Sequence, residues 1–389
     1  MPQTLIPPQA PDHLEEEALF PEARRLRRRR WALGVSVVVL ALLIVVGVIA
    51  VLSANTKGSR RASDFVAGPL RAGAIARLHV AGALAVGPGG ELYVADVNNS
   101  QKTGEIPDAT RVLVRLPDGR FRLVVSNLPG ISDLAFAPDG TLYIADAGWV
   151  RAVGHNGEIR TIAGDGRAEP RRRSTGVPRN IPAGTPARSA ALGSIQSTTR
   201  RGNPLHIAFS PSGQLYISTG TQILRLTTNG TLDPLKATVK PRGRLPGGPL
   251  SGFGPIAVAP NGTIYVGGGN FGWTLWAVNP NGTTHYLGYA RQSGGNYVVV
   301  QRAPNGAIYT EHGGGLQQIE AGRRKTVFEF TQRLDGQYFP LTNFALAPHG
   351  VIYADDIPGN QGFEDHQQLV AVHRNKLTLL WQERNQTPH

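Results

Sequence analysis

Side chains suited to metal binding or catalysis recur at one kind of position in this chain: they follow short apolar segments that contain a tyrosine. If the fold brought these positions to one axis, carboxylate and amide oxygens would suit Ca²⁺, a hard cation that prefers oxygen ligands. A histidine among them could act as a general base if a carboxylate oriented it. The candidate binding residues are Asp96, Asn98, Asp146, Trp149, Trp273, His312, Asp355 and Asp356.

Other catalytic signatures are absent from the sequence. The chain has no cysteine, which excludes structural disulfides, thiolate catalysis and cysteine-based zinc sites. It has no G-x-S-x-G, H-E-x-x-H or phosphate-loop motif and no pair of catalytic carboxylates. The sequence therefore assigns no catalytic residue and no cofactor beyond the Ca²⁺ hypothesis, and it favours a binding protein over an enzyme.

A second group of candidate residues is basic. Segments 165–205 and 236–252 together contain twelve Arg and Lys residues against two acidic ones, in a chain whose net charge is +13. Such segments attract anionic partners: a phosphorylated glycan, a lipid headgroup or an acidic envelope protein. The alternative is that arginine only keeps a long loop soluble. The clustered basic candidates are Arg171, Arg172, Arg173, Arg200 and Arg201.

One short sequence motif, which we call the phrase, recurs six times and sets the places of all these residues in the predicted fold. It consists of an apolar run, a Pro, a turn residue and a Gly, and then, after two intervening residues, a Tyr in a second apolar run. Pro presets the backbone of a turn and Gly accepts a positive φ, so each copy predicts a β-hairpin. The six copies lie at 85–96, 134–146, 207–218, 256–267, 298–311 and 344–355, and their tyrosines are Tyr93, Tyr143, Tyr216, Tyr265, Tyr309 and Tyr353.

A second hairpin follows each copy, usually with Asp-Gly or Asn-Gly at its bend, as in 111–125 and 273–288. Four antiparallel strands, a to d, repeated six times predict an all-β fold, a six-bladed β-propeller over residues 74–384. We expect the propeller to be monomeric. Residues 75–80 could add an outer strand beside 376–381 or begin blade one.

Antiparallel pairing divides the connections between two faces. The a–b and c–d turns emerge on one face, which we call the turn face, and the b–c and d–a connections emerge on the other, the loop face. All a–b and c–d turns are tight, and the long segments 97–110, 165–205, 236–252 and 355–367 all belong to the other class. Length concentrated on one face of a rigid scaffold is typical of a working surface.

The stretch 159–218 resembles an NHL repeat. IRTIAGDGR (159–167), IPAGTPARSAALGS (181–194) and HIAFSPSGQLYIS (206–218) match its three segments, with His206 in place of the usual Gly. The resemblance implies a six-bladed propeller that serves as a binding module, a sensor domain, a lyase or a lactonase. It also implies that Asp96 and Asp146 bond the backbone or a neighbouring blade. Gluconolactonase-like propellers bind their metal through an early Glu, which segment 82–90 lacks.

The first 73 residues differ in composition from the rest. Residues 1–30 form a short tail with an arginine cluster, 31–52 are long and apolar enough for a transmembrane helix, and 53–73 are a polar tether. Six arginines before the helix predict a cytoplasmic N-terminus and an extracytoplasmic propeller. A cleaved signal peptide is the alternative, but its apolar core is normally about 7–15 residues long.

These observations predict a single-pass cell-membrane protein, anchored in the lipid bilayer through 31–52, whose propeller binds an anionic ligand or protein on the loop face. The first alternative is a metal-dependent hydrolase, lactonase or lyase with its site at the central channel. The second is an envelope scaffold protein. We expect no nucleic acid partner, because the sequence contains no recognised nucleic-acid-binding motif.

Overall fold

A computed structural model of the chain shows how the repeats are arranged. The residues it describes are 74–79, 81–97, 109–154, 157–167, 180–192, 205–236, 253–268, 274–289, 298–312, 315–320, 322–329, 341–356, 368–374 and 376–382. The predicted tail, transmembrane helix and tether lie outside these residues. In the part that is described, no helix is long and apolar enough to cross a membrane.

The fold is a six-bladed β-propeller, as the sequence predicts, and each blade is an antiparallel sheet of four strands from one continuous stretch of chain. The strands of blades one to three are β2 (Ala81–Val86), β3 (Leu92–Val97), β4 (Ala109–Arg115) and β5 (Phe121–Val125); β6 (Ile131–Phe136), β7 (Leu142–Asp146), β8 (Trp149–Val153) and β9 (Ile159–Ala163); and β11 (His206–Phe209), β12 (Leu215–Ser218), β13 (Ile223–Leu226) and β14 (Thr231–Pro234). The strands of blades four to six are β15 (Phe253–Val258), β16 (Ile264–Gly268), β17 (Thr274–Val278) and β18 (Thr284–Tyr289); β19 (Val300–Arg302), β20 (Ile308–His312), β21 (Gly315–Glu320) and β22 (Arg323–Glu329); and β23 (Leu341–Leu346), β24 (Ile352–Asp356), β25 (Gln368–His373) and β26 (Lys376–Gln382).

Four shorter elements complete the described fold. β1 (Ile75–Ala76) and β10 (Thr185–Pro186) pair with the outer strands of blades one and three, β5 and β14. Two single-turn 3₁₀ helices span Ala187–Ser189 and Pro348–Gly350. A bridge between Ala109 and Ile131 also joins the sheets of the first two blades.

The Pro-x-Gly turns pack against one another around the ring. Gly140 and Gly306 have φ values of +84° and +87°, which other residues rarely adopt. A Cβ added to Gly306 would lie 2.8 Å from Pro260, the turn proline of the preceding blade, and one added to Gly140 would lie 3.3 Å from Pro88. The glycines therefore serve both the turn and the close approach of adjacent blades.

Apolar packing between blades holds the ring together. Among the described residues, one cluster of buried apolar side chains occupies each of the six junctions between neighbouring blades. Each repeat tyrosine packs against the cluster between its own blade and the next. Tyr93 meets Phe136 edge to face at a centroid distance of 4.8 Å, and Tyr143 meets Phe209 in the same way at 4.7 Å. Burial raises the pKa of the Tyr93 and Tyr143 phenols, because their surroundings disfavour the phenolate.

In the described residues, the ring closes without exchanging a strand between its first and last blades. Leu84 and Leu113 of blade one share a cluster with Ala345 and Leu369 of blade six, and Leu78 fills the same junction. The prediction that segment 75–80 adds a strand beside 376–381 is therefore wrong, and its strand belongs to the sheet of blade one. Its first two residues cover the outer edge of blade one, because they pair with β5 rather than with 376–381.

Part of the long d–a segment 165–205 is packed rather than free. Ile181, Ala187, Ala190 and Leu192 are buried in the cluster between blades two and three. The Gln222 side chain accepts the Ile181 N–H at 2.6 Å and donates to its carbonyl at 3.2 Å. Residues 180–192 thus belong to the propeller core, which leaves 168–179 and 193–204 as the parts of the insert outside the described residues.

We predict that closure depends on the apolar junction between blades six and one. Leu369 is fully buried there, so Leu369→Ala should lower the free energy of unfolding by about 2–5 kcal/mol. Leu379, on the outer strand of the same blade, is 39% exposed, and Leu379→Ala should change it by about 0.5 kcal/mol or less. Urea unfolding of the full-length protein, followed by tryptophan fluorescence, measures both. Equal losses in the two variants would contradict this account of closure.

Candidate functional site

Asp96, the first predicted site residue, lies in a polar cluster within blade one. Its side chain is fully buried, and Oδ2 accepts a hydrogen bond from Arg111 Nε at 2.6 Å. Oδ1 accepts the backbone N–H of His79 at 2.7 Å, and His79 Nδ1 lies 3.2 Å from Oδ2. Arg111 also donates to the carbonyl of Arg77 at 2.6 Å. This cluster fastens the segment before the first blade to strands β3 and β4.

Asp146 occupies the equivalent position in blade two and is also buried. It accepts the Gly130 N–H at 2.9 Å and Arg151 Nε at 2.8 Å, while the Arg151 guanidinium stacks 4.7 Å from the centre of the Trp149 ring. Trp149 in turn covers Gly166, where an added Cβ would fall 1.9 Å from the ring. The carboxylates of Asp96 and Asp146 therefore make the backbone bonds that the NHL resemblance implies, each with an arginine as well.

The remaining predicted channel residues fall in other blades or outside the described residues. Asp355 is buried in blade six, where Oδ1 accepts the Asn343 N–H at 2.8 Å. His312 and Asp356 end strands β20 and β24. Asn98 and Trp273 lie outside the described residues, as do Arg171, Arg172, Arg173, Arg200 and Arg201.

The structure does not gather the described carboxylates at one point. Asp96, Asp146 and Asp355 belong to three different blades, and each has contacts within its own sheet. In the described residues no group of three or more His, Asp or Glu side chains could hold a metal ion. The carboxylates of Asp96, Asp146 and Asp355 therefore make contacts within their own blades.

The first strands of all six blades surround a central cavity of about 500 Å³. Most of the lining comes from Ala, Val, Leu, Ile, Phe and Pro side chains. The polar residues that also line it are Ser132, Asp133, His206, Gln301, Arg302 and Asn343. A cavity of this size, mainly apolar with a few polar groups, has the character of a small-molecule site.

Polar side chains at the loop-face end of the cavity join neighbouring blades. Ser132 Oγ donates to the Leu205 carbonyl at 2.8 Å, and Asp133 Oδ2 accepts the Ile207 N–H at 3.0 Å, both from blade two to blade three. His206 Nδ1 lies 3.5 Å from the same Asp133 oxygen, with both side chains mostly buried. Asp133 thus lies beside an imidazole at the edge of the cavity.

Sequence reasoning did not select this pair. Asp133 and His206 both stand five residues before the turn proline of their blades, where Asn343 stands in blade six and Ala83 in blade one. When the six copies are aligned on that proline, the polar residues at this position become apparent. The alignment does not show that their side chains reach the cavity. Like Asp133, Asn343 makes a hydrogen bond to the backbone of the next blade: its side-chain amide donates to the Gly82 carbonyl at 3.3 Å.

Comparison with known proteins shows no family for this chain. No protein-family model and no curated protein matches the chain. Among solved structures, a streptogramin B lyase is 10% identical over 81% of this chain and 86% of its own, with a TM-score of 0.47. A putative gluconolactonase is 15% identical over 74% and 89% (TM-score 0.44), and an auxiliary nutrient binding protein from Bacteroides thetaiotaomicron is 12% identical over 72% and 67% (TM-score 0.45).

At these identities and scores the likenesses carry no argument about function. The class of protein rests on the strand pairing itself: the chain is a six-bladed β-propeller of four-stranded antiparallel blades.

The Asp96–Arg111 contact gives a test of structural against metal-binding roles. Because Asp96 is buried, Asp96→Ala leaves Arg111 without its carboxylate and should lower the free energy of unfolding by about 3–5 kcal/mol. Replacing both partners with apolar residues, Asp96→Leu with Arg111→Met, should restore most of that loss. Thermal unfolding of full-length protein with and without Ca²⁺ measures both effects. A Ca²⁺-dependent stabilisation that disappears in Asp96→Ala would instead indicate a metal ligand.

Proposed function

We propose that this chain is a membrane-anchored extracytoplasmic β-propeller of NHL type that binds an anionic partner on its loop face. The arrangement of the strand connections carries the proposal. All twelve a–b and c–d connections are two to five residues long, whereas six connections on the opposite face run from 10 to 42 residues. Residues 180–192 of the longest connection pack between blades two and three, but the length beyond them is more than the ring needs and supports a use other than closure.

The distribution of basic residues also favours the loop face as the binding surface. The d–a connections after blades two and three contain the twelve basic residues of 165–205 and 236–252. Two of the described members, Arg167 and Arg188, are exposed, with the Arg167 side chain 82% accessible. A concentration of guanidinium groups on one face raises the local concentration of polyanions and their rate of association. Anionic glycans, lipid headgroups and acidic envelope proteins share this chemistry.

Charge reversal tests the proposal directly. Arg171→Glu, Arg172→Glu and Arg173→Glu together should weaken binding of dextran sulfate, or of vesicles containing phosphatidylglycerol, by about tenfold or more. The matched control reverses three exposed charges on outer strands: Arg323→Glu, Lys325→Glu and Lys376→Glu. Titrations at low and high salt with full-length protein give the affinities, and binding by the wild type should weaken as salt rises.

The two probes separate the possible partners. Binding of dextran sulfate alone favours a glycan, and binding of anionic vesicles alone favours a lipid surface. An equal loss in both triple variants would show that only overall charge matters, and would contradict a site on the loop face.

A hydrolase or lyase at the central cavity is the second candidate, and the Asp133–His206 contact favours it. His206 would act as the general base, with Asp133 holding the imidazole through Nδ1. His206→Gln should then reduce hydrolysis of chromogenic esters or γ-lactones by about 100-fold or more. His349→Gln, at an exposed turn of blade six, is the control. Inactivity of the wild type towards these probes, with and without Ca²⁺, would argue against this candidate.

A further inference from the structure

Blade five breaks the repeat inside the central cavity. In the other five blades the residue three positions before the turn proline is alanine, and the next residue is apolar. Blade five instead has Gln301 and Arg302 at these positions, and both line the cavity. The apolar residues that correspond to Arg302 are Val86, Phe136, Phe209, Val258 and Leu346.

Arg302 lies in surroundings that are unfavourable for its charge. The side chain is half-buried, and burial lowers the pKa of the guanidinium. Its backbone pairs with Ile308 in the sheet, but within the part of the chain that the structure describes the Arg302 guanidinium has no hydrogen bond or ion pair. Arg111 and Arg151 differ, since each reaches a buried carboxylate at 2.5–2.8 Å. Removing an arginine from water without such a partner costs free energy that a bound anion would recover.

We propose that Arg302 binds the carboxylate of a small organic monocarboxylate whose apolar body occupies the central cavity. The guanidinium fork matches a carboxylate, which can accept two parallel hydrogen bonds from it. The cavity, about 500 Å³ in volume, falls in the range of small-ligand pockets, and its Ala, Val, Leu and Pro lining suits a hydrocarbon body. A single arginine among apolar residues fits one negative charge better than a phosphate dianion.

The ligand's orientation follows from the position of Arg302 along its strand. Arg302 stands two residues before Pro304, near the turn face, whereas Asp133, His206 and Asn343 line the loop-face end of the same cavity. In the repeat these levels are three residues apart, or about 10 Å along a strand. The carboxylate would therefore lie towards the turn face and the rest of the ligand would extend towards Asp133. This site is separate from the loop-face surface proposed for polyanions, and it does not depend on that proposal.

Octanoate and its neutral counterpart octanamide test the charge requirement in the full-length protein. We expect octanoate to bind and to raise the melting temperature, with octanamide binding about 10- to 100-fold more weakly, because only octanoate makes charge-assisted hydrogen bonds. Isothermal titration gives the affinities. The proposal is overturned if octanoate does not bind the wild type, or if octanamide binds equally well.

Substitution of Arg302 tests the residue itself. Arg302→Leu restores the residue type of blade six, so without ligand it should melt at the same temperature as the wild type or higher, yet bind octanoate about 10- to 100-fold more weakly. Arg302→Lys should retain part of the binding because it keeps the charge. Arg323→Leu, on the exposed outer strand of the same blade, should change nothing. Unchanged octanoate binding in Arg302→Leu, or destabilisation of the unliganded variant, would assign Arg302 a purely structural role.

Discussion

The contact between each repeat tyrosine and the first strand of the next blade is the interaction on which the rest of this molecule depends. A four-stranded blade cannot bury both of its faces alone, and burial of apolar surface contributes about 25 cal/mol per Å². Tyr93 against Phe136 and Tyr143 against Phe209 show how one aromatic side chain per blade fills a junction. Because each junction needs the following blade, only a closed ring satisfies all six, and closure creates the cavity that the first strands surround.

Polar groups reinforce these junctions where the sheets meet solvent or the cavity. Asp133 and Asn343 reach across to the backbone of the next blade, while Asp96 and Asp146 hold arginines inside their own sheets. A buried carboxylate with several donors is a costly group to leave unpaired, so these contacts fix register more than they add net stability. Arg302 is unusual against this background. It is a charged residue at a position where the other five blades have an apolar one, and among the described residues it lacks the carboxylate partner that Arg111 and Arg151 have.

Much of the architecture could be predicted from the sequence, because it depends on local and repeated signals. The Pro-x-Gly phrases specify hairpins wherever they occur, and Asp139 and Asn261 accept the N–H two residues on, as turn residues do. Contacts between distant segments could not be predicted in the same way. The pairing of Ile75–Ala76 with β5 and the burial of Ile181 and Leu192 depend on how blades meet, which no short stretch of sequence specifies.

The candidate site shows the same limit. Asp96 and Asp146 stand out in the sequence because they end a repeated phrase. A residue that recurs at the same position of several blades is, however, also what a structural role in each blade would produce. His206 and Arg302 depart from the repeat, and their importance depends on which way a strand turns its side chains towards the cavity. For a repeat fold, the residue that breaks the pattern in one blade is therefore a better guide to ligand chemistry than the residue that recurs in several.

Among the strands that the structure describes, none is exchanged between the first and last blades, and this has a mechanical consequence. Any pull on the chain before residue 74 is carried first by the backbone bond from Leu123 to Ala74 and by the His79–Asp96 contact, all at blade one. Leu78 lies between these two bonds in the chain and packs into the junction with blade six, so only the bonds from residues 74–77 to blade one stand between such a pull and the closing junction. In the described residues, the lead-in segment (74–79) therefore couples any load on the chain before residue 74 to the junction at which the first and last blades meet.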